Sequence, residues 1–430
     1  MTGSPAVATV GTSIPHPRPQ RIAVIGAGVV GLACALHLRR AGLSVDIYDM
    51  RAPGEGASLG NAGIIAVCEV LPIGRPGILR QVPRMMLSPT GPLSIKASYL
   101  PSIAPWLVRM LLASRPSEVT RLSLHLASVL ALASSAWSDL IEGSAARRLL
   151  MTNGWLKAYE TPSAFAKALM DGKKLKALGV NLEVLEAKAV RDLEPSLKGL
   201  AGGLFFPQAG NLLSPLSTTR ALAEDARQAG IAFHRVEVAR LAGSAHAPRI
   251  ADAEGNETSY ESVVIAAGAW SRRLLRTLGV DLPLDTERGY HLMLPTPERS
   301  LTRPVSLPTP GYTLAQMEDG LRLTTGVEFA GLDAPPDYRR VLRMARHART
   351  LLPGLAEQPI SKWLGFRPSM PDSIPVIGAL RRYPAVVLAL GHGHLGVTLG
   401  PLTGQIVAAM IAGRALPLDA TPFSPSRFGM

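Results

Sequence analysis

The fold is decided by residues 21–49, which read R-I-A-V-I-G-A-G-V-V-G-L-A-C-A-L-H-L-R-R-A-G-L-S-V-D-I-Y-D. Residues 22–25 form a short apolar strand, and residues 32–40 carry apolar side chains at helical spacing. Between them, three glycines follow the pattern G-x-G-x-x-G: Gly26, Gly28 and Gly31. A second apolar strand then closes at Asp49. Strand, glycine turn, helix, strand and acid in this order predict a dinucleotide-binding βαβ unit.

The three glycines and Asp49 each have a physical reason for their positions in this unit. Gly26 permits a tight turn, Gly28 lets a pyrophosphate approach the backbone, and Gly31 lets the helix pack closely on the strand. The helix N-terminus offers free N–H groups and the positive end of a dipole to the phosphates. Asp49 can accept hydrogen bonds from both ribose hydroxyls, and its charge disfavours the 2′-phosphate of NADP, although nearby Arg51 weakens that argument.

Three later stretches bear on the choice between FAD and NAD. Residues 58–64 (S-L-G-N-A-G-I) form a second glycine-rich turn, and residues 263–268 (V-V-I-A-A-G) form an apolar strand that ends at small residues. Residues 386–404 (V-V-L-A-L-G-H-G-H-L-G-V-T-L-G-P-L-T-G) read as strand, glycine-rich turn and helix. A simple nicotinamide dehydrogenase does not need these late elements to complete its nucleotide fold. A long cofactor threaded between distant segments does, so the sequence favours FAD.

The composition narrows the choice of partner. The chain has 430 residues and a formal net charge of +13, a balance that suits nucleic acid, anionic lipid or an anionic substrate. The densest basic cluster, residues 339–349, places Arg339, Arg343 and Arg346 on one helix face without interleaved aromatic residues for base stacking. We interpret this face as solvated and expect no nucleic-acid partner. Attraction of carboxylate substrates or of an anionic membrane surface stays open.

Several segments call for a membrane interpretation. Residues 122–138 and 383–413 are uncharged, but polar residues interrupt the first, and glycines and a proline the second. Both patterns indicate buried helices and loops rather than membrane spans. Residues 79–112 mix Met, Leu, Trp and Arg, which favours a core-facing helical segment over a peripheral membrane patch. Residues 1–20 predict a flexible tail.

The motifs in their order resemble a known family. They are G-A-G-V-V-G, Asp49, S-x-G-N-A-G, A-A-G, G-F-R-P and G-H-G-H-L-G-V-T, and they span roughly residues 20–415. This order is similar to the flavoenzyme superfamily of D-amino-acid oxidase, glycine oxidase and sarcosine oxidase, with bacterial D-amino-acid dehydrogenases as the closest subgroup. The resemblance implies an α/β fold (α+β overall): a Rossmann-like FAD-binding domain and a substrate domain built on a mixed, largely antiparallel sheet.

The resemblance also implies that the two domains interleave along the chain. The expected limits are 21–95, 205–285 and 365–418 for the FAD-binding domain, 96–204 and 286–364 for the substrate domain, and 1–20 and 419–430 for the tails. The hairpin turn at Asp319-Gly320, between alternating strands, supports the second domain independently.

The resemblance assigns FAD, held without a covalent link, to a defined set of residues. The helix after Gly396 would direct its N-terminus at the pyrimidine end of the flavin ring. Neither of the two cysteines lies in the late flavin-facing segment where a covalent link of the sarcosine-oxidase type would form. The expected cofactor residues are Gly26, Ala27, Gly28, Val29, Val30, Gly31, Asp49, Met50, Arg51, Ser58, Asn61, Ala62, Gly63, Ile64, Val238, Ala267, Gly268, Gly378, Gly391, Gly393, His394, Leu395, Gly396 and Val397.

Arg367 in G-F-R-P matches the arginine that holds the substrate carboxylate in the resembling oxidases. Its planar fork can make two parallel hydrogen bonds to a carboxylate, and the alternative is a structural ion pair with Asp372. His392 and His394 form H-x-H, but no third ligand is close in sequence, so we expect no metal. The further candidates for the catalytic pocket are His394, Tyr290, His291, Tyr312 and Arg288, the last as a second candidate for the carboxylate clamp.

The implied activity is the FAD-dependent oxidative deamination of a D-amino acid, with a proline-type substrate as one option. The α-hydrogen would leave as hydride to flavin N5, and the imine would hydrolyse to a 2-oxo acid. Electrons would pass to a quinone or another carrier. We expect a cytoplasmic enzyme with peripheral contact to the inner face of the cytoplasmic membrane. Two alternatives stay open: oxidation of glycine, sarcosine or another secondary amine, and a non-catalytic flavin-binding subunit of an electron-transfer complex.

Overall fold

The computed structural model describes residues 20–77, 93–296 and 300–430. The expected N-terminal tail, apart from Gln20, lies outside the described residues. Residues 79–92 of the 79–112 segment also lie outside the described residues, and the described part of that segment begins at Leu93.

A six-stranded sheet carries the nucleotide motif. Its strands are β1 (Arg21–Ile25), β2 (Ser44–Tyr48), β10 (Ala232–His234), β14 (Ser262–Ile265), β20 (Val376–Ala379) and β21 (Val386–Leu390). Their order is β10-β2-β1-β14-β21-β20, and every pair is parallel except β20 with β21. β1 therefore lies at the centre, where four of its five residues are buried. The apolar run of residues 22–25 is what a strand covered on both faces requires.

Two long helices pack against this sheet and against each other. They are α1 (Val29–Arg40), which begins directly after the glycine turn, and α10 (Gly396–Ile411). Gly404 of α10 lies so close to α1 that a Cβ at that position would be 2.6 Å from the backbone of Ala33. The small residue thus permits a helix approach that any larger side chain would prevent.

The helices α3 (Pro116–Leu130) and α4 (Ala133–Leu140) also belong to this lobe. Trp137 is fully buried, and its indole N–H donates to the Val397 carbonyl over 2.9 Å. Leu122 and Leu126 join the same hydrophobic core as Ile22 of β1. The predicted substrate-domain range 96–204 therefore contains helices that pack on the nucleotide lobe instead.

A larger sheet of nine strands forms the second lobe. Its strands are β4 (Leu93–Ile95), β6 (Trp155–Tyr159), β7 (Glu183–Glu186), β8 (Gly202–Phe206), β15 (Asp285–Leu294), β16 (Val305–Leu307), β17 (Tyr312–Met317), β18 (Gly320–Phe329) and β19 (Ser361–Ser369). The main order is β19-β15-β18-β17-β16-β6-β8-β7, with β4 paired to β18. Only β6 with β16 and β4 with β18 are parallel. This mixed, largely antiparallel sheet beside a parallel one confirms the predicted fold class.

Helix α9 (Arg339–Leu351) covers one face of the larger sheet. Its buried residues include Val341, Met344 and Ala348, whereas Arg339 is exposed. The predicted domain limits at 204/205 and 364/365 fall inside β8 and β19. Both strands belong to the larger sheet, because β8 pairs with β6 and β7 and β19 pairs along its length with β15.

Smaller elements complete the fold. Two three-stranded sheets are formed by β11 (Val238–Gly243), β12 (Pro248–Asp252) and β13 (Glu257–Ser259), and by β3 (Ile64–Ile65), β5 (Leu150–Met151) and β9 (Gly210–Leu212). The remaining described helices are α2 (Leu100–Ala113), α5 (Pro162–Ala177), α6 (Ala187–Leu193), α7 (Pro215–Gln228) and α8 (Ser271–Arg276). The α5 and α7 N-termini combine proline with a capping hydroxyl, since Thr161 accepts from Ala164 N–H and Ser214 from Ser217 N–H. Each such cap stabilises its helix by about 1 kcal/mol.

Two helical stretches in the described part of the chain are long and apolar enough to cross a membrane, Pro116–Leu140 and Gly393–Ile411. The second is 67% buried within the fold. Its apolar composition follows from packing between α1 and the sheet, as expected for the core helix of a globular lobe.

Candidate active site

A cavity of about 430 Å³ runs from the nucleotide sheet to the larger sheet. Both lobes contribute to its wall, so neither sheet forms the site alone. Its lining includes the expected cofactor residues Gly26, Gly28, Val29, Val30, Asp49, Met50, Arg51, Ser58, Asn61, Ala62, Ile64, Val238, Ala267, Gly268, Gly393, His394, Gly396 and Val397. The expected catalytic residues Arg367, Tyr290 and His394 line it as well.

The glycine turn is shaped by close backbone contacts. Gly26 has φ +112°, and a Cβ there would overlap the Ala266 carbonyl oxygen. A Cβ at Gly31 would overlap the Gly26 carbonyl oxygen. Gly28 instead lies on the cavity wall, where the side chain of any other residue would occupy space available to a phosphate. The three glycines thus form the cradle that a pyrophosphate requires, as the spacing predicted.

Asp49 organises the adenosine end of the cavity. Its carboxylate accepts hydrogen bonds from Ala27 N–H (2.7 Å) and Arg51 N–H (2.9 Å). One bond to each oxygen leaves lone pairs for ribose hydroxyls. The Arg51 guanidinium lies 5.0 Å from the centre of the Trp270 ring, and Val238 lines the same region. These groups fit the adenosine half of FAD.

The other end is formed by the 58–61 loop and the start of α10. Ser58 accepts a hydrogen bond from Val29 N–H over 3.1 Å, which ties this loop to the first turn of α1. Gly396 and Val397, at the N-terminus of α10, face the cavity, and the first turn carries no acidic residue. No acidic side chain of this turn therefore offsets the positive end of the helix dipole, which fits an electron-rich ring held there.

Arg322, which sequence reasoning missed, holds the 58–61 loop in place. This buried guanidinium donates to the carbonyl oxygens of Leu59 (3.0 Å) and Asn61 (2.6 Å). Burial lowers its pKa to about 10. The only sequence signal was a charged residue in the alternating strand after Asp319-Gly320, at a position that proves to face inward.

His291 and Trp363 complete the support of this loop. The Nδ1 of His291 lies 3.2 Å from the Gly60 carbonyl oxygen, and its ring stacks on Trp363 at a centroid distance of 5.1 Å. A Cβ at Gly60 would overlap the Trp363 ring. Burial lowers the pKa of His291 to about 3, so its neutral imidazole donates Nδ1–H to the carbonyl. His291 was expected in the pocket wall; it does not line the cavity but supports a loop that does.

Arg367 projects from β19 over Gly289 of β15, where a Cβ would overlap its guanidinium. Its Nη1 donates to the Gly326 carbonyl over 2.9 Å and its Nη2 to the Thr325 carbonyl over 3.4 Å. A guanidinium has five N–H donors, so three remain for a ligand. Burial lowers its pKa, and the charge of nearby Glu287 acts in the opposite direction.

The alternative partner of Arg367 is engaged elsewhere. Asp372 pairs with Arg427 at 2.9 Å, and its other contact with the chain nearby is to Ile374 N–H. Arg367 makes no ion pair with it. The structure therefore shows no ion pair between Arg367 and Asp372, and binding of a carboxylate by Arg367 stays a prediction.

Three other expected residues lie outside the cavity wall. Arg288 is fully buried, pairs with Glu328 at 3.3 Å and donates to the Pro335 carbonyl over 3.2 Å. The Tyr312 hydroxyl lies 3.1 Å from Nδ1 of His347 on the α9 side of the sheet. Both side chains lie on the face of the larger sheet opposite Arg367, so they do not belong to the candidate site.

Gly378 is the third. It belongs to β20, and a Cβ there would lie 3.1 Å from Pro425. Tyr290 does border the cavity, but its hydroxyl is used by the protein, because it donates to Glu328 over 2.6 Å and accepts from Asp337 N–H. Five more expected cofactor residues do not line the cavity: Ala27, Gly31, Gly63, Gly391 and Leu395.

The two histidines of H-x-H have separate roles. His392 is buried, its Nε2 lies 2.9 Å from the Thr403 hydroxyl, and burial lowers its pKa to about 4. His394 faces the cavity; burial lowers its pKa, Glu69 opposes that effect, and Arg367 and Lys157 add to it. No group of three His, Cys, Asp or Glu side chains in the described ranges is arranged to hold a metal ion.

Glu69 and Lys157 form an ion pair that sequence reasoning also missed. Glu69 lines the cavity, and its Oε1 accepts a hydrogen bond from the Lys157 ammonium. Burial alone would raise the pKa of Glu69, but the charges of Lys157, His394 and Arg75 and the hydrogen bond from Lys157 together outweigh it and lower the pKa to about 2. The two residues are 88 positions apart, so no local sequence pattern could have paired them.

Comparison with known proteins places this architecture in a family. The family model described as "DAO: FAD dependent oxidoreductase" matches residues 21–410. The chain is 34% identical over 421 residues to a D-amino-acid oxidase from Bradyrhizobium diazoefficiens, covering 96% of this chain and all of that protein. It is 28% identical to a D-amino acid dehydrogenase from Rhizobium rhizogenes, covering 95% of this chain and all of that protein.

Solved structures share the fold. Glycine oxidase from Geobacillus kaustophilus superposes with a TM-score of 0.73 at 24% identity, covering 95% of this chain and 99% of that one. Iminodiacetate oxidase from Chelativorans sp. BNC1 superposes with a TM-score of 0.72 at 20% identity, covering 94% and 99%. The FAD assignment from the glycine turn and the late motifs is confirmed by the family match. The chain belongs to the DAO family of FAD-dependent oxidoreductases.

Proposed function

We propose that this protein oxidises a D-amino acid at its α-carbon and yields an imine that water hydrolyses to a 2-oxo acid and ammonia. The observation that carries the proposal is Arg367: a half-buried guanidinium that lines the same cavity as the FAD cradle, is fixed by two backbone carbonyls and has three N–H donors that these carbonyls do not use. A fixed fork of this kind binds a carboxylate through two parallel hydrogen bonds.

The reaction removes a hydride from the α-carbon while the lone pair of the neutral amine forms the C=N bond. Bound FAD supplies the two-electron acceptor for that hydride. The chain contributes orientation: Arg367 fixes the carboxylate, and the rigid fork limits rotation of the adjacent α-carbon. Gly289 gives the guanidinium the space it needs. No strong base is required if the amine binds in its neutral form.

The D-configuration is supported by the names of relatives, and three of those names, as dehydrogenases, favour an acceptor other than oxygen. The relatives include one D-amino-acid oxidase and three D-amino acid dehydrogenases, each matched over at least 95% of this chain. We propose transfer of electrons to a quinone or another carrier rather than mainly to oxygen. Reduction of a soluble quinone analogue that outpaces oxygen consumption with the same D-amino acid is the expected result; the reverse ratio would contradict it.

Two alternatives are weaker. Oxidation of glycine, sarcosine or another secondary amine has support from structural neighbours such as glycine oxidase, whose likeness at 24% identity concerns the fold alone. A non-catalytic flavin subunit would have no use for a guanidinium held at the cavity wall with N–H donors that the backbone leaves unused. A proline-type side chain remains one option within the proposal.

Arg367→Met tests the proposed role of the fork. Removing one partner of a buried charge pair costs about 2–5 kcal/mol, and each ~1.4 kcal/mol changes a rate tenfold. We therefore expect kcat/KM for D-alanine to fall by at least about 30-fold while the visible flavin absorbance per protein is unchanged. Arg367→Lys should recover only part of the activity, because it keeps the charge and loses the fork. Arg339→Gln, at a guanidinium that is 80% exposed, is the control and should match the wild type.

Undiminished turnover in Arg367→Met with full flavin would contradict the assignment. Loss of flavin in that variant would show that Arg367 holds the cofactor or the fold instead. The two results can be separated, because flavin content is read from absorbance and turnover from product formation.

We also propose a peripheral contact of helix α2 with an anionic membrane. Leu100, Val108 and Leu112 are 49%, 55% and 46% exposed, and Arg109 is exposed on the same helix. This helix can insert its apolar side chains at the lipid interface while Arg109 meets the headgroups. Wild-type protein should sediment with phosphatidylglycerol vesicles and Val108→Asp/Leu112→Asp should not. Val184→Asp, at an exposed valine of β7, is the matched control; equal sedimentation of all three would contradict the proposal.

A further inference from the structure

The wall of the cavity opposite the glycine turn contains one ion pair whose role the proposed reaction does not explain. Glu69 reaches the cavity, whereas Lys157 does not line it. The Lys157 ammonium lies 4.5 Å from the centre of the Trp155 ring and 5.3 Å from that of Phe206. The cation is therefore enclosed behind the carboxylate, and the pair presents a negative group to the ligand.

The Glu69 carboxylate has capacity for a further partner. Its Oε1 accepts from Lys157, and its Oε2 accepts no hydrogen bond from any described residue. An ionised carboxylate can accept bonds at about four lone-pair positions. A depressed pKa of about 2 keeps it ionised at any pH suitable for an assay. Glu69 can thus accept a hydrogen bond from a ligand and repels a second carboxylate.

The position of Glu69 relates it to the substrate rather than to the nucleotide. Glu69 is paired with Lys157 of β6, and β6 belongs to the same larger sheet as β19, which carries Arg367. Trp155, on the same strand as Lys157, also lines the cavity. The nucleotide cradle is formed by other residues, those of the turn after β1 and of Asp49. A substrate whose carboxylate is bound by Arg367 therefore extends its side chain in a region that Glu69 borders.

We propose that Glu69 selects the substrate side chain: it accepts a hydrogen bond from neutral or cationic donor groups and excludes side chains that carry a carboxylate. This inference rests on the proposed function and names the substrate class of the same site. A like charge placed opposite a desolvated carboxylate costs several kcal/mol and is a common way to achieve specificity.

Two isosteric substrate pairs test it: D-glutamine against D-glutamate, and D-asparagine against D-aspartate. The measurement is the second-order rate constant for anaerobic loss of flavin absorbance, with D-alanine as the reference substrate. In the wild type the amide should exceed the carboxylate by at least about tenfold in each pair. A preference for the acidic member of both pairs would overturn the proposal without any variant.

Glu69→Gln sharpens the test, because it leaves Lys157 without its counter-charge at the cavity. The amide-to-carboxylate ratio should then fall by at least about tenfold or invert, since the freed cation attracts an anionic side chain. In Glu69→Gln/Lys157→Met the ratio should lie between those of the wild type and the single variant. Ratios within one variant are independent of flavin loading. A ratio unchanged in Glu69→Gln would overturn the proposal.

Failure of the proposed function gives a different result. If neither D-alanine nor any D-amino acid of the panel bleaches the flavin, the proposed function itself is overturned and this inference with it. Bleaching by D-alanine combined with a preference for D-glutamate overturns only the role of Glu69.

Discussion

The two ends of the cavity are built in different ways. At the nucleotide end one continuous stretch, residues 21–49, supplies the turn, the helix N-terminus, the second strand and Asp49. At the proposed substrate end the wall combines Glu69, Trp155, Arg367 and His394, which come from four separate parts of the chain. Local sequence determines the first end, whereas the second depends on how two sheets are placed against each other.

This difference predicts different responses to substitution. A change in the glycine turn meets backbone atoms that cannot move without unfolding the βαβ unit. A change at the substrate end alters side-chain contacts only, so the fold and the bound flavin should be retained while the rate of the reaction falls. The following predictions test this distinction, beginning with the largest expected effect.

Gly31→Val should abolish FAD binding. Even a Cβ at this position would overlap the Gly26 carbonyl oxygen, and a branched side chain would push α1 away from β1. Purified protein should contain no flavin by absorbance after desalting. Gly172→Ala is the matched control, because a Cβ there would lie 3.6 Å from Leu204, an ordinary contact. Full flavin content in Gly31→Val would show that the turn has room that the structure does not indicate.

Arg322→Met should weaken FAD binding without abolishing it. Hydrogen bonds to charged groups are each worth about 1.5–3 kcal/mol, and Arg322 makes two to the flavin-side loop. We expect the dissociation constant for FAD to rise by at least about tenfold and the visible flavin spectrum to change, because the 58–61 loop is released. Titration of apoprotein with FAD measures both quantities.

Arg322→Lys keeps the charge but not the fork and should lie between the wild type and Arg322→Met. An unchanged FAD affinity and spectrum in both variants would mean that the second lobe does not position the loop. That result would remove the coupling between the two ends of the cavity.

His392 should make folding stability depend on pH. Burial lowers its pKa from about 6.5 to about 4, so the folded state disfavours the protonated ring and the unfolded state does not. Its contribution is present above the unfolded pKa and is lost as the pH falls from 6.5 to 4. One such group lowers the free energy of unfolding by about 2 kcal/mol between pH 7 and pH 5.

Urea unfolding of wild type and His392→Gln at pH 7 and pH 5 measures this contribution. Glutamine can keep a hydrogen bond to Thr403 but does not titrate, so the decrease on acidification should be smaller by about 2 kcal/mol. His246→Gln, at an exposed histidine, should behave like the wild type. Equal decreases in wild type and His392→Gln would contradict the prediction.

The nucleotide end could be predicted from sequence because residues that are close together in the chain determine its geometry. Gly26, Gly31 and Asp49 occupy the positions that their spacing implies. Arg367 could be predicted as a candidate, but only the structure distinguished it from an ion pair with Asp372, whose partner Arg427 is 55 positions away.

The substrate end resisted prediction because it depends on which face of a strand each residue occupies. Arg288 and His291 lie on β15, whose pairing with β18 is irregular between Arg288 and Tyr290. Such an irregularity changes which side chains face the cavity, and alternation alone cannot reveal it. Glu69 and Arg322 were missed for a related reason, since their partners are distant in sequence.

The most direct test of the central claim is anaerobic bleaching of the visible flavin absorbance by matched enantiomers. When D-alanine or D-proline is mixed anaerobically with the purified protein, the visible flavin absorbance should be lost. The corresponding L-amino acids should leave this absorbance unchanged. Bleaching by L-alanine, L-proline or sarcosine but by neither D-amino acid would contradict the account. The carboxylate bound by Arg367 would then belong to a substrate of a different class.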